Sequence, residues 1–373
     1  MSIPLEEMSA RRAKMQEAMA KAGLDGLLVF ANQLKPVSLH YVANYTLLGS
    51  HAFYWLPLTG LPVLFISEAW DVDRAVKESG LDDVRVLGEN WPREIADLCR
   101  SSKGRLGLVD REIMGQRELA MLEKAIGREA PSATRFLEDL TNVKSPYELE
   151  KIRAAAKMAD AGFARALAVM REGLPDYELV AEIDYTMRKM GATDNFQMMA
   201  VGKHSTGMLL PMGKKVERGD LILFEITPAN GSETYSAQLC RTAIFGEPPS
   251  ELTLDKYNIL IKALEDSLAV IKPGVRISEV AKIQNDIIEK AGYASYCQPP
   301  FMRARGHGFG LGRLELDEDS VLEFAPGISL VVHPNQYLPE TGYLALGEHI
   351  IVTEKGIERL TTTESKIYVC PNS

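Results

Sequence analysis

Gly219-Asp-Leu-Ile-Leu-Phe-Glu-Ile-Thr-Pro-Ala-Asn-Gly-Ser-Glu-Thr-Tyr-Ser-Ala-Gln-Leu-Cys-Arg241 is the stretch on which the reading of this chain turns. Ile222, Phe224 and Ile226 alternate with other residues as a half-buried strand requires, and Pro-Ala-Asn-Gly-Ser supplies turn residues. A second arm resumes at Tyr235 and runs into Arg241-Thr-Ala-Ile-Phe245, so the stretch is a predicted β-hairpin. Within it a carboxylate, Glu225, interrupts an apolar strand, and an amide, Gln238, sits on the returning arm. Two polar groups on paired strands can face one cavity. Polar residues on strand faces usually meet solvent, so these two residues alone leave an exposed edge strand as open as a site.

Three later segments change the balance. Arg303-Ala-Arg-Gly-His-Gly-Phe-Gly-Leu-Gly312 sets His307 among glycines, Ile328-Ser-Leu-Val-Val-His-Pro334 ends an apolar strand in His333, and Leu346-Gly-Glu-His-Ile-Ile-Val-Thr353 opens another with Glu348. Each contributes one side chain of the kind that ligates metals or moves protons.

The order of these segments, and the phrases around them, resemble the pita-bread fold family of aminopeptidase P, prolidase, methionine aminopeptidase and creatinase. The matching frames are Gly219-Asp220, Arg241-Thr242, Gly306-His307-Gly308, Pro326-Gly327, Pro334 and Val352-Thr-Glu-Lys-Gly356. Lys144-Ser-Pro-Tyr-Glu148 leads into a long helix, as the family's catalytic domain usually begins. The resemblance covers almost the whole chain. It implies an α/β N-terminal domain plus an α+β pita-bread C-terminal domain, with the site on the curved sheet between two similar halves.

The metal ligands depart from the family's pattern. Carried over position by position, its two Asp become Glu225 and Gln238, its His is kept as His307, its first Glu becomes His333, and its second Glu is kept as Glu348. Two dications need bridging carboxylates, which a neutral amide and an imidazole do not supply. The resemblance therefore implies an atypical member, with Gln238, His307, His333 and Glu348 around one divalent ion of zinc, iron or manganese. A metal-free centre of creatinase type is the alternative. Glu348-His349 is similar to the Glu-His of creatinase, whereas its catalytic-loop His aligns with Leu209 and the acidic residue before its Arg-Thr aligns with Cys240.

Composition bounds the partners. The 373 residues are 46% hydrophobic and 25% charged, an ordinary globular balance, and a net charge of −9 argues against a nucleic-acid or anionic-membrane surface. No run approaches the length that spans a bilayer, and no secretory signal pattern opens the chain. Cys99, Cys240, Cys297 and Cys370 lie far apart without a Cys-x-x-Cys pair, so a reduced, cytoplasmic protein is expected. A small molecule or short peptide is the expected substrate, and the resemblance adds a homodimer.

Two domains are expected, residues 1–140 and 141–373. In the first, a helix over Met8–Ala22 precedes strands at Leu27–Phe30 and Pro62–Ile66. Helices near 70–80, 92–101 and 115–124 then alternate with strands near Val84–Leu87 and Leu106–Val109, an α/β pattern with some parallel pairing. In the second, Ser145-Pro-Tyr-Glu148 has the cap, proline, acid order of a helix start. A helix from Pro175 to Met190 and a strand over Phe196–Val201 follow before the hairpin. Helices near 252–271 and 277–291 precede the His307 segment, so helix, helix, strands occurs twice.

The functional expectation is a hydrolase of a C–N bond in a small amide, ureido or peptide-like substrate, with Glu225, His307 and Glu348 as catalytic residues. His204, in Gly202-Lys-His-Ser-Thr-Gly207, and the cations Arg303, Arg305 and Arg313 are candidate substrate contacts. A metal-free acid–base enzyme and a non-catalytic binding module of the same fold are the competing readings.

Overall fold

The structure is a computed structural model that describes residues 3–101, 104–312 and 314–371. Its contacts divide the chain into two compact units, Met1–Thr141 and Asn142–Ser373.

The first unit is built on a five-stranded sheet. Its elements in chain order are α1 (Leu5–Ala22), β1 (Leu24–Asn32), α2 (Val37–Ala43), β2 (His51–Pro57) and β3 (Val63–Ile66). They continue through α3 (Val72–Ser79), β4 (Val84–Val86), α4 (Trp91–Ser101), β5 (Arg105–Val109), α5 (Gln116–Ile126) and α6 (Thr134–Thr141). The strand order is β4-β3-β2-β1-β5. β1 pairs parallel with β5 and antiparallel with β2, and β3 pairs parallel with β4, so the parallel pairing expected from the alternation is present. Leu28, Phe30, Phe53 and Phe65 on the strands bury against Ile95, Ala96 and Leu122 on α4 and α5, because every second strand residue points to one face.

The second unit repeats one plan twice. α7 (Pro146–Val169) and α8 (Asp176–Lys189) precede β6 (Asp194–Gly202), β7 (Leu221–Ala229) and β8 (Leu239–Phe245). α9 (Glu251–Val270) and α10 (Ile277–Ile288) then precede β9 (Gly306–His307), β10 (Ser329–Val332), β11 (Gln336–Leu338) and β12 (Gly342–Leu344). The chain closes with β13 (Glu348–Val352), β14 (Ile357–Arg359) and β15 (Tyr368–Cys370). Two four-stranded sheets result, β15-β8-β7-β6 and β14-β13-β10-β9, with β11 and β12 forming a separate ribbon.

Local chemistry starts α7 where the sequence predicts. The Ser145 hydroxyl accepts the Glu148 N–H and the Glu148 carboxylate accepts the Ser145 N–H, with Pro146 in the first turn; such a cap contributes about 1 kcal/mol. Phe163 and Ala166 on α7 and Leu179 and Ile183 on α8 then cover Ile222, Phe224 and Ile226 of β7. Leu223, Glu225 and Thr227 are thereby left on the opposite face. One detail differs from the sequence reading. Tyr235 lies in a short 3₁₀ turn, Glu233–Tyr235, whose start is capped by the Ser232 hydroxyl, so the returning strand begins only at Leu239.

Candidate functional site

The site grows from the hairpin. Glu225, in the middle of β7, stands in register with Met198 on β6 and Cys240 on β8. The Gln238 side-chain amide donates to Glu225 Oε1 at 3.0 Å and to Thr227 Oγ1 at 3.0 Å. Burial pushes the Glu225 carboxyl up to about 7, and the Gln238 hydrogen bond pulls it part of the way back. The carboxyl of an interior strand position thus sits near neutrality with a fixed donor beside it.

The second sheet meets the first at Cys240. The Cys240 N–H donates to the Gly347 carbonyl at 3.4 Å and the Gly347 N–H to the Cys240 carbonyl at 3.0 Å. A Cβ on Gly347 would lie 2.8 Å from the His333 Cβ and 3.1 Å from the Cys240 Sγ. Only the absence of that carbon lets β8 approach so near to His333. His333 follows β10, and its ring centroid lies 5.4 Å from that of His307 on β9, where His307 pairs with Val331. Contacts therefore run from Glu225 through Cys240 and Gly347 to His333 and His307.

His333 is held neutral. Burial first, and the neighbouring His307 next, depress its pKa to about 3. Its Nδ1 is sealed from solvent and finds no hydrogen-bond partner among the described residues. Phe309 packs edge-on to His307 at 4.9 Å and stacks on His349 at 5.7 Å. With Phe196, Thr227, Ala229, Glu233 and Ser236 it also lines a cleft of about 320 Å³. Thr227, which holds the Gln238 amide, ties that cleft to the site.

His349 carries a role that the sequence reading missed. Its Nδ1 accepts the backbone N–H of Gln238 at 3.2 Å, so the ring proton is on Nε2, which faces Ser329 Oγ at 2.9 Å. The ring is fully buried and its pKa falls to about 3, chiefly by desolvation. His349 thereby fixes the segment that presents Gln238. Its place beside Glu348 was the only signal in the sequence, and nothing there pointed to Ser329.

Glu348 is already engaged. It forms a buried ion pair with Arg241, and its other oxygen accepts from Thr361 Oγ1 at 2.5 Å. Arg241 also donates to the Gly347 carbonyl at 2.6 Å, so the Arg241-Thr242 frame braces the strand that carries Glu348.

The remaining candidates differ in place: Arg305 adjoins the cluster, its carbonyl accepting the His333 N–H at 3.0 Å, whereas His204 and Arg303 are at the surface. His204 is exposed, meets the Pro339 carbonyl at 2.9 Å and packs edge-on to Tyr337. Arg303 is 83% exposed, with Glu315 at 3.7 Å. Arg305 is buried, donating to Asn285 Oδ1 at 2.6 Å and to the Asn335 carbonyl at 3.3 Å. Arg313 lies outside the described residues.

Residues 150–354 match Metallopeptidase family M24, and residues 11–143 match the Creatinase/Prolidase N-terminal domain. The chain belongs to metallopeptidase family M24. Its fold is the pita-bread architecture of that family behind a creatinase-type N-terminal domain, as the resemblance predicts. Among M24 relatives, an uncharacterized peptidase of Staphylococcus saprophyticus is 31% identical over 61% of this chain, and the match spans 65% of that relative's length. The Xaa-Pro dipeptidase of Pyrococcus furiosus is 26% identical over 96% of this chain and 100% of its own. The solved structure of a Xaa-Pro dipeptidase from Bacillus anthracis superimposes with a TM-score of 0.84 at 26% identity, covering 97% of this chain and 99% of that one. No helix among the described residues is long and apolar enough to cross a membrane.

Proposed function

We propose that this M24 member hydrolyses the C–N bond of a small amide or dipeptide-like substrate by acid–base chemistry at Glu225 and His307, without the family's two-metal centre. The observation that carries the reading is the hydrogen bond between the Gln238 amide and the Glu225 carboxylate. At two positions where the resemblance expects carboxylate ligands, the chain keeps one carboxylate, Glu225, and bonds it to a neutral amide donor, Gln238.

The donor set does not fit two dications. It offers two carboxylates, and the charge of Glu348 is already balanced by Arg241 inside the protein. The Gln238 amide nitrogen is spent on Glu225 and Thr227, and an imidazole at His333 cannot bridge two ions as a carboxylate does.

In the reaction, Glu225 takes a proton from water as the water oxygen bonds to the substrate carbonyl carbon. The C–N bond breaks as His307 passes a proton to the departing nitrogen, and the proton on Glu225 then returns to the imidazole. Water is consumed and no other reagent is required. Neutral His333 beside His307 supplies a polar wall that adds no charge. The dipeptidase relatives support a short peptide-like substrate, and the free cysteines Cys99, Cys240, Cys297 and Cys370 support a reducing, cytoplasmic setting. A homodimer belongs to the same reading and is checked by sedimentation.

The test pairs elemental analysis of protein purified without a metal-binding tag with turnover of Xaa-Pro dipeptides, N-acyl amino acids and ureido acids, before and after chelation. Turnover that survives chelation, with less than one metal per chain, is expected. His307→Ala should lower it at least 100-fold with the fold intact. Turnover that vanishes on chelation and returns with added metal would refute the metal-independent reading.

A further inference from the structure

Phe196 and Phe309 wall the cleft of about 320 Å³ that Thr227 ties to the site. Register fixes where it lies. Phe196 pairs with Thr227 and Asp194 with Ala229 across β6 and β7, while Met198 pairs with Glu225. Alternation then puts Asp194, Phe196, Thr227 and Ala229 on the strand face that carries Glu225. Thr227 lies two residues from Glu225, about 7 Å along the strand. The cleft therefore begins one side-chain length from the carboxylate and runs toward the hairpin turn.

Close packing holds the Phe309 wall in place. Gly310 has a φ of +86°, and a Cβ there would lie 2.7 Å from the Thr234 Cα, so only glycine lets the loop that carries Phe309 close on the turn Glu233–Tyr235. That turn is fixed in its own right, because the Ser236 hydroxyl donates to the Glu233 carbonyl at 2.9 Å. Phe309 also packs on His307 and His349. The opposite wall, Phe196, is a large ring that is 53% exposed. The charged residues that line the cleft are Asp194 and Glu233, and its lining among the described residues holds no Lys or Arg. Aromatic walls accept an apolar stem and the cation at its end, whereas the two carboxylates repel an anion.

We propose that this cleft receives the side chain of the residue that supplies the scissile carbonyl, and that it selects substrates with lysine or arginine there. The inference rests on the hydrolase reading above. Water activated by Glu225 meets the carbonyl carbon, and the side chain of that residue branches from the next atom, so it enters the cleft beside Thr227. Its methylene stem lies between Phe196 and Phe309, and its cationic end reaches Asp194 and Glu233. A glutamyl side chain of similar length meets like charge at the same place.

The experiment measures turnover and, by calorimetry, binding of lysyl-proline, norleucyl-proline and glutamyl-proline and of the corresponding amino acid amides. Norleucine keeps the stem of lysine and lacks its ammonium group. The expected result in wild type is a kcat/KM for the lysyl compound about tenfold above that for the norleucyl compound, the scale of one ring contact plus an exposed ion pair, with the glutamyl compound the poorest. Asp194→Asn/Glu233→Gln should bring the lysyl and norleucyl values within threefold of each other, and Asp194→Asn alone serves as the reporter should the double variant fail to fold. Wild-type turnover with those two values within threefold, or a lysyl preference that the double variant retains in full, would overturn the role of the cleft and leave the hydrolase reading standing. No wild-type turnover, with lysyl-proline bound at least fivefold more tightly than norleucyl-proline and the difference lost in the double variant, would keep the cleft and remove the hydrolase. Neither turnover nor a difference in binding would overturn both.

Discussion

The amide of Gln238 and the carboxylate of Glu225 lie 3.0 Å apart across neighbouring strands, with the amide nitrogen donating. The pair joins a group that must lose a proton to act as a base to a group that lowers the cost of losing it. Burial has the larger effect, so the carboxyl titrates at about 7. Hydrolysis should rise with pH through that value, because the deprotonated form is the active one. Gln238→Leu removes the stabilising donor and should move the rising limb to higher pH. Glu225→Gln should lower turnover by about 100-fold or more at every pH. A pH–rate profile of the three proteins checks this, and an unmoved limb in Gln238→Leu would separate Glu225 from the observed ionisation.

Restoring the family's ligand chemistry should restore metal binding. Gln238→Asp together with His333→Glu supplies two carboxylates where the chain has an amide and an imidazole, the feature a two-ion site needs. Elemental analysis after loading with manganese or zinc should show more metal per chain than in wild type. Equal metal content would mean that these positions do not face one centre.

The Arg241–Glu348 pair should prove expensive to break from one side. Both groups are buried, and removing one partner leaves the other charged and unpaired, a cost of about 3–5 kcal/mol. Arg241→Met should lose stability on that scale in urea titration, and Arg241→Met/Glu348→Met should recover part of it. A single variant as stable as wild type would show that the pair is open to water.

Buried imidazoles should make the protein acid-sensitive. Burial lowers the pKa of His333 and His349 to about 3 in the folded protein, against the ordinary 6.5 of an exposed imidazole. The unfolded chain binds more protons between those limits, so stability is full above 6.5 and is lost as the pH falls toward 3, by about 1.4 kcal/mol per unit for each fully titrating group. Glu225 works in the opposite sense. Raised from 4.5 to about 7, it contributes stability below 4.5 that is lost as the pH rises through 7. Two imidazoles outweigh one carboxyl, so urea midpoints should climb from pH 4 to 6.5, more steeply in Glu225→Gln and less steeply in His349→Gln. A flat profile in wild type would mean that the rings are hydrated.

What the sequence determined by itself was set by local chemistry and short periods. Alternation along Ile222, Phe224 and Ile226 marked β7, the Ser145-Pro-Tyr-Glu148 cap marked the start of α7, and repeated helix, helix, strands marked the two halves of the second unit. The framework around His307, His333 and Glu348 carried the family, because motif spacing survives in a linear chain. Only the tertiary structure decided what those side chains touch. His349, Ser329 and Gln238 are separated by up to 111 residues in hydrogen-bonded pairs, and Arg241 and Glu348 by 107. Tyr343 packs on Leu223 and Cys240 from a ribbon that belongs to neither main sheet. Such pairings depend on where two sheets meet, at Cys240 and Gly347, and a junction between sheets leaves no periodic signature in the residues that form it.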